Sequence, residues 1–304
     1  MTIRSKAELA LLSMTIVWGG TFAIVKIGML DISPILLIAI RFVLGTIFYL
    51  AFFSRKLFPI PLPAIVKGSI LGFFLFLGFV MQNVGLTITT ASKSAFITSM
   101  MVIFVPLLQF IIEKRAPKLG NILGVVIVVV GLWLLTAPTG SEFNTGDALT
   151  LVCAVVFALY IVYLDVISHD MTALQLTFMQ FISTAVYSTL ASLLFEETYL
   201  RFSIQSVLSI AYLTGFATIL TISLQTRYQK DSTPTRAVVI FSVEPVFASI
   251  IAWWLLSEHL GDLGILGAGL IIAGVLVSEL SDSIPGLNRA FNSDEVKQAT
   301  TPEA

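Results

Sequence analysis

Apolar segments of about 20 residues recur from one end of the chain to the other, and a helix needs about that length to cross the hydrocarbon core of a bilayer. The breaks between them are short and carry charged residues or Pro, Gly and Asp. The segments cover residues 8–29, 34–53, 65–86, 91–112, 119–136, 146–168, 173–195, 204–226, 234–256 and 263–281. We therefore predict an all-α integral membrane protein with ten transmembrane helices.

The composition agrees with this prediction. Hydrophobic residues make up 57% of the chain and charged residues 12%, and the mean hydropathy is +0.97. Soluble domains contain about 25% charged residues, so the expected surroundings of this protein are a lipid bilayer. The net charge of −1 argues against nucleic acid as a partner. The single cysteine, Cys153, excludes an intrachain disulfide bond and is expected to be a small core residue.

The distribution of Lys and Arg predicts the orientation of the chain. Of the 17 such residues, 13 fall on the side of the N-terminus, three fall opposite, and Arg41 lies within a segment. Because short cytoplasmic loops are enriched in Lys and Arg, both termini are expected in the cytoplasm, with the protein in the plasma (inner) membrane. The polar residues 282–304 are expected to form a disordered cytoplasmic tail.

An internal repeat relates the two halves, residues 1–137 and 138–281. Residues separated by 139 positions match over the first two helices of each half, and offsets of 143 and then 145 fit the later helices. Five helices per half place the second half in the opposite orientation. Inverted repeats are typical of secondary transporters, whose substrate site lies near the membrane midplane. The alternative is a duplicated structural bundle without a transport role. The matched pairs include Glu8/Asp147, Trp18/Phe157, Thr21/Tyr160, Arg41/Gln180, Gln82/Gln225, Lys93/Arg236 and Gly124/Gly269.

Several motifs in both halves resemble the EamA-type transporters of the drug/metabolite transporter superfamily. In the first half they are the Trp18-Gly19 pair and the stretch from Gln82 to Leu107. In the second half they are the run from Ser242 to Ala248 and the Gly267-Ala268-Gly269 triplet. The resemblance implies ten helices, an inverted repeat and transport of small organic solutes such as amino acids or related metabolites, often by export. It does not identify one substrate, the direction of transport or a coupling ion.

Charged side chains inside membrane segments usually face the interior of a bundle or water. Arg41 is therefore a candidate for holding a carboxylate or phosphate of the substrate. It could equally form an internal ion pair or extend towards the membrane surface. Glu244, followed directly by Pro245, could bind an ammonium group or carry a proton, so proton coupling is one alternative. A purely structural hydrogen bond is the other interpretation of Glu244.

Matched polar residues supply further candidates. Gln82 and Gln225 could hydrogen-bond a substrate from two opposed sides, or could join helices to each other. Lys93 and Arg236 begin equivalent helices at opposite faces, where they are either gate charges or anchors at lipid headgroups.

Aromatic and small residues complete the predicted site and its frame. Trp18, Tyr160 and Tyr163 could line an apolar cavity, although aromatic residues at helical spacing are more often core packing. Small residues at Gly120-x-x-x-Gly124 and Gly269-x-x-x-Ala273 favour close helix packing, within one chain or in a homodimer. We expect the substrate cavity between helices one, three and four and their counterparts six, eight and nine, with helices five and ten peripheral.

Neither a catalytic constellation nor a nucleotide-binding loop of the Walker type is recognisable in the sequence. We therefore expect no enzymatic activity, no metal and no cofactor, and a small molecule as the functional partner. The competing interpretations are a non-transporting membrane scaffold and an intramembrane enzyme.

Overall fold

The structure is a computed structural model that describes residues 2–114, 117–136, 143–257, 262–281 and 287. These residues are helical, no β-strand is found among them, and Ile32 and Leu200 form an isolated β-bridge. The α-helices are α1 (Ile3–Gly28), α2 (Pro34–Leu57), α3 (Leu62–Leu86), α4 (Ala91–Ser99), α5 (Met101–Glu113), α6 (Leu119–Thr136), α7 (Thr145–Ser168), α8 (Ala173–Phe195), α9 (Ile204–Thr214), α10 (Thr221–Tyr228), α11 (Pro234–Phe241), α12 (Glu244–Leu256) and α13 (Asp262–Leu280). Residues 282–304, predicted to be a disordered tail, lie outside the described residues except for Leu287.

Eight helical segments of the described chain are long and apolar enough to cross a membrane. Five of them are the single helices α1, α2, α3, α7 and α8. The other three are the consecutive pairs α4–α5, α9–α10 and α11–α12. Two shorter apolar helices, α6 and α13, lie at the positions of the fifth and tenth predicted segments. The all-helical membrane class is therefore confirmed, and the crossing of the membrane by all ten segments stays a prediction.

Three predicted continuous helices are interrupted, and this corrects the expectation from sequence. α4 is separated from α5 at Met100, and α11 from α12 at Ser242 and Val243. A π-helical turn, Gly215–Leu220, joins α9 to α10. Pro245 lies in the first turn of α12 and fits the break before it, because a proline lacks an N–H donor and is best tolerated in the first turn of a helix. The break at Met100 falls at the matching repeat position without a proline in the same place.

Side chains at the two ends of α8, in the second half of the chain, cap the long helix α2 at both of its ends. The Glu196 carboxylate, just after α8, accepts hydrogen bonds from the backbone N–H groups of Ile35 and Leu36, at 2.9 and 3.0 Å. At the other end, Gln175 Nε2 donates to the carbonyl oxygens of Leu57 and Pro59, both at 3.0 Å. Since unpaired helix-end groups are costly in an apolar solvent, these bonds fix α2 antiparallel against α8.

Contacts between helices connect the first and second halves throughout the bundle. α1 packs against α9 to α12, and α7 packs against α3, α4 and α5. α2 lies on α8. In the repeat, α9–α10 corresponds to α3, and α11–α12 corresponds to α4–α5. The helices around α1 and those around α7 are therefore equivalent. This interleaving places the walls of any central cavity on helices from both halves.

α6 and α13 pack mainly against each other through small residues. A Cβ atom added at Gly124 would lie 2.8 Å from the carbonyl oxygen of Gly274, and one added at Gly131 would lie 2.7 Å from that of Gly267. Gly269 does not pack closely within the chain, because nothing lies within 4 Å of a Cβ added there. Its use in a homodimer stays a prediction. Helical rotation puts Gly267 and Gly274, seven residues apart, on the contact face instead.

Candidate functional site

A cavity of about 600 Å³, counted to its mouth, lies between helices of the two halves. All six residues predicted to bind substrate lie in its wall: Trp18, Arg41, Gln82, Tyr160, Gln225 and Glu244. The helices predicted to surround the site, represented by α1, α3, α4–α5, α7, α10 and α11–α12, all contribute, and α2 adds Arg41. The structure therefore brings the candidate residues together, while their role in binding stays a prediction.

The wall of this cavity is built from residues that match each other in the repeat. Fourteen of its sixteen residues form seven pairs at the offsets of 139 and 143 positions. The two residues without a matched partner in the wall are Arg41 and Leu75. The pairs are Trp18/Phe157, Thr21/Tyr160, Phe22/Ile161, Phe79/Ile222, Gln82/Gln225, Thr98/Phe241 and Met101/Glu244. Both halves thus line the cavity with equivalent helix faces. They differ in the charged residues of the wall, Arg41 and Glu244.

Arg41 is buried, with 1% of its surface exposed, and one of its donors has no partner among the described residues. Nε donates to Thr218 Oγ1 at 2.7 Å, and Nη2 donates to the Ala217 carbonyl oxygen at 3.2 Å. The guanidinium carbon lies 4.4 Å from the centroid of the Phe79 ring. Nη1 is the nitrogen without a partner. A buried cation with an unused donor beside a cavity is suited to an anionic group of a ligand.

The π-helical turn explains how Arg41 is held. The wider helix redirects backbone hydrogen bonds, and such turns occur frequently at functional sites. Ala217 and Thr218 lie within the turn, and the Thr218 hydroxyl donates to the Leu213 carbonyl oxygen at 2.7 Å while accepting from Arg41. The guanidinium is therefore held by neutral acceptors. The internal ion pair considered for Arg41 is not formed among the described residues.

Glu244 begins α12 directly after the break and is 7% exposed. No hydrogen-bond donor of the described residues contacts its carboxylate. Its position in the first turn of a helix is favourable for a negative charge, because the helix dipole is positive at that end. The matched residue in the first half, Met101, is apolar. Glu244 therefore supplies the cavity with one carboxylate that protein groups leave available.

The two matched glutamines have different surroundings. Gln82 Nε2 makes one long hydrogen bond, 3.4 Å, to Thr98 Oγ1. Gln225 Nε2 donates to Gln229 Oε1 at 2.9 Å, and Gln229 Nε2 donates in turn to the Ile161 carbonyl oxygen at 2.7 Å. Gln82 is thus only weakly engaged by the protein, whereas Gln225 belongs to a chain of bonds that joins α10 to α7.

The aromatic candidates divide into two that line the cavity and one that does not. Trp18 Nε1 donates to Thr221 Oγ1 at 2.9 Å, which fixes the indole on the wall. Tyr160 Oη donates to Gln180 Oε1 at 2.8 Å. For Tyr163 the packing alternative holds, because this residue is absent from the wall and its ring packs edge-to-face on Phe74 at 5.9 Å.

Lys93 and Arg236 each form an ion pair with a carboxylate of the other half. Lys93 Nζ lies 2.6 Å from Asp147 Oδ2, and Arg236 Nη2 lies 3.0 Å from Glu8 Oε1. The side chain of Arg236 is 3% exposed and that of Lys93 is 14% exposed. Both cations are therefore held inside the bundle at the ends of helices, away from the surface where a headgroup anchor would lie.

Most of the wall residues that the sequence analysis did not single out follow from helical spacing. Leu75 and Phe79 precede Gln82 at intervals of four and three residues on α3, and Ile222 precedes Gln225 by three on α10. Residues at such intervals share a face of a helix. These wall residues could have been predicted by adding the residues three and four positions from each site residue, and then their matched residues in the other half.

Comparison with known proteins gives the family. The description "EamA-like transporter family" applies to two matched stretches, residues 5–137 and 144–280. A protein of Archaeoglobus fulgidus described as an uncharacterized transporter is 31% identical over 277 residues, which cover 91% of this chain and 87% of that protein. The uncharacterized inner membrane transporter YedA of Escherichia coli K12 is 23% identical, over 89% of this chain and 90% of its own.

A solved crystal structure shares the fold. It superposes with a TM-score of 0.73 at 19% sequence identity and covers 91% of this chain and 97% of its own. The matches span nearly the whole described bundle, including every helix that lines the cavity. The chain is therefore a multi-pass membrane transporter protein that belongs to the EamA-like transporter family.

Proposed function

We propose that this protein is a secondary transporter of small organic solutes, an exporter or facilitator that works by alternating access around the central cavity. The observation that carries the proposal is the composition of the wall, in which seven matched pairs from two halves surround a single space. A pair of similar halves around one site can exchange their conformations, which exposes the site to each side of the membrane in turn.

The proposed architecture is ten transmembrane helices in two inverted repeats, residues 1–137 and 138–281. The family matches the chain twice, over nearly these stretches. The interleaved packing of α1 and α7 is what two such halves would produce. The Lys and Arg distribution supports cytoplasmic termini in a plasma membrane, and the description of YedA as an inner membrane transporter agrees with that location.

The proposed substrates are amphoteric molecules, of which amino acids are the simplest class. Arg41 Nη1 offers an unused donor to a carboxylate, and Glu244 offers an unused acceptor to an ammonium group. Leaving either charge buried without a partner is costly, so a ligand that meets both is favoured over a neutral one. Phe79, Phe157 and Phe241 supply apolar wall for the side chain of such a ligand.

Counterflow in proteoliposomes tests this function. Purified protein would be reconstituted with a high internal concentration of one unlabelled amino acid, and uptake of the same labelled amino acid would be measured across a panel of apolar, aromatic and cationic examples. We expect transient accumulation for at least one amino acid without ATP. Liposomes that contain an Arg41→Ala variant serve as the matched control.

The alternatives give different outcomes in this assay. A scaffold would give no counterflow and no thermal stabilisation by any member of the panel. An intramembrane enzyme would convert the labelled compound, which chromatography of the recovered label would detect. Either result from folded protein would contradict the proposal.

A further inference from the structure

Two ion pairs join the halves at opposite ends of the bundle. At the end where α1 begins, here called the proximal end, Glu8 pairs with Arg236 of α11. At the other end, here called the distal end, Asp147 at the start of α7 pairs with Lys93 of α4. The carboxylate comes from the first helix of one half in each case, and the cation comes from the fourth helical segment of the other half.

The two ion pairs are equivalent in the internal repeat. Glu8 and Asp147 are separated by the repeat offset of 139, and Lys93 and Arg236 by the offset of 143. Their distances from the cavity also match. Ten residues of helix, about 15 Å, separate Glu8 from Trp18 and equally separate Asp147 from the matching Phe157. The cavity therefore lies midway between two equivalent contacts.

The cation of each pair lies on the same short helix as a residue of the cavity wall. α11 carries Arg236 at its start and ends at Phe241, a residue of the cavity wall. On its other side, Arg236 lines a second cavity of about 1040 Å³, the proximal vestibule, together with Arg4 and Asp165. Five residues of one short helix thus separate the vestibule from the central cavity. Lys93 stands five residues before the wall residue Thr98 in the same way.

Further hydrogen bonds surround the distal ion pair and hold α1, α4 and α7 together at that end of the bundle. The Asp147 side chain is fully buried, and Thr89 Oγ1 donates to it at 2.6 Å. The Lys26 ammonium group, on the last turn of α1, donates to the Thr89 carbonyl oxygen at 3.0 Å. Removing one member of a buried pair leaves the other charge without compensation, so rupture of such a pair is costly.

We propose that the Glu8–Arg236 and Asp147–Lys93 pairs are the two latches of the transporter. Breaking the proximal latch opens the cavity to the vestibule, and breaking the distal latch opens it to the opposite side. Both latches are formed in this structure. The inference rests on the proposed function, because it needs halves that move against each other.

Labelling of a cysteine in the cavity tests the latches without requiring any substrate. Cys153 is the single cysteine of the chain, so a Cys153→Ser, Thr21→Cys protein carries one reporter thiol in the cavity wall. A membrane-impermeant maleimide would be applied from one side at a time, in right-side-out and inverted vesicles. The measured quantity is the rate of labelling of residue 21 from each side.

We expect Glu8→Gln and Arg236→Gln to raise labelling from the proximal side on the order of tenfold, within the usual range of one conformational coupling, and to lower it from the distal side. Lys93→Gln is expected to do the opposite, and it leaves the Asp147 helix cap intact. Arg4→Gln is the matched control, because Arg4 also contacts Glu8, at 2.8 Å, but belongs to the same helix. It should not change labelling.

Labelling that stays unchanged, or rises equally from both sides, in variants that melt like the reporter protein would overturn the proposal. If a single substitution prevents folding, the exchanged pair Glu8→Arg with Arg236→Glu decides, since it keeps a proximal latch. It should label like the reporter, and a folded exchange variant that is open proximally would refute the latch. Opposed labelling with no counterflow would retain the latches and reject the proposed substrates. Counterflow with unchanged labelling rates would support the proposed substrates and reject the latches.

Discussion

Tyr160 Oη donates a hydrogen bond of 2.8 Å to Gln180 Oε1, and Gln180 is the residue of the second half that matches Arg41. Gln180 Nε2 also donates to Thr226 Oγ1, at 2.9 Å. At this position one half therefore carries a neutral amide whose bonds are satisfied by protein groups. The other half carries a cation with a donor left over. The repeat keeps the packing of the two halves similar and places the positive charge on one side only.

Replacing Arg41 by Gln should make the two halves alike at this position and weaken binding of carboxylate ligands. A hydrogen bond to a charged group contributes about 1.5–3 kcal/mol, so affinity should fall on the order of 10- to 100-fold. Binding of an amino acid and of the amine that lacks its carboxyl group would be compared by thermal shift. Arg41→Lys is the control that keeps the charge but loses the planar donor fork. An equal loss for both ligands would contradict the assignment.

Glu244→Gln should weaken binding of ligands that carry an ammonium group, with a loss on the order of 1–3 kcal/mol in binding free energy. Its matched residue provides the control, since Met101→Leu changes the opposite wall without a charge. Counterflow and uptake driven by a pH gradient would be measured side by side. Loss of both activities supports a ligand contact. Intact counterflow with loss of the gradient-driven uptake would instead identify Glu244 as a proton carrier.

Gln82→Ala and Gln225→Ala should separate binding from stability. Gln82 makes a single long bond of 3.4 Å, so its removal should lower transport while the melting temperature changes little. Gln225 donates to Gln229, and the Gln229 amide donates to the Ile161 carbonyl oxygen. Removal of the Gln225 side chain should therefore lower both transport and the melting temperature. The expected loss of binding free energy is on the order of 1–3 kcal/mol, the scale of one unsatisfied polar group. Wild-type transport by both variants would place the substrate elsewhere.

Gly124→Ala should destabilise the α6–α13 contact, whereas Gly269→Ala should not. A Cβ atom at Gly124 would lie 2.8 Å from both the Gly274 carbonyl oxygen and Ser278 Cβ, which is too close without movement of a helix. Overpacking of this kind typically costs about 1–3 kcal/mol. Gly269 faces open space, and alanine there is expected to be neutral or slightly stabilising. Thermal melting in detergent measures both, and equal melting temperatures would contradict the packing described.

A reporter fused after residue 304 should be active only if it requires the cytoplasm. The basis is the excess of Lys and Arg on the side of the N-terminus, which favours both termini in the cytoplasm. Paired fusions, one to a cytoplasmic and one to an extracytoplasmic reporter enzyme, would be compared at equal expression. With the N-terminus in the cytoplasm, an active extracytoplasmic fusion would mean an odd number of crossings and would contradict the inverted arrangement.

The sequence by itself determined where the helices lie and which of them meet at the cavity. Lipid cannot hydrogen-bond the backbone, so the segments of a helical membrane protein that cross it are long and apolar, and such segments can be read directly from the sequence. The repeat register then paired Trp18 with Phe157 and Gln82 with Gln225, and those pairs do share one wall. These features depend on local composition and on spacing along the chain.

Only the tertiary structure decided what each polar side chain contacts. Arg41 is held by a π-helical turn that no local pattern announces. Tyr163 lies one helical turn after Tyr160, yet it packs on Phe74 and is absent from the cavity wall. The partners Glu8 and Arg236 are separated by more than two hundred residues, and their contact depends on how α11 is set against α1 after the break before α12. Spacing along one helix fixes its faces, but which face meets which partner is set by packing between helices, a property of the whole bundle.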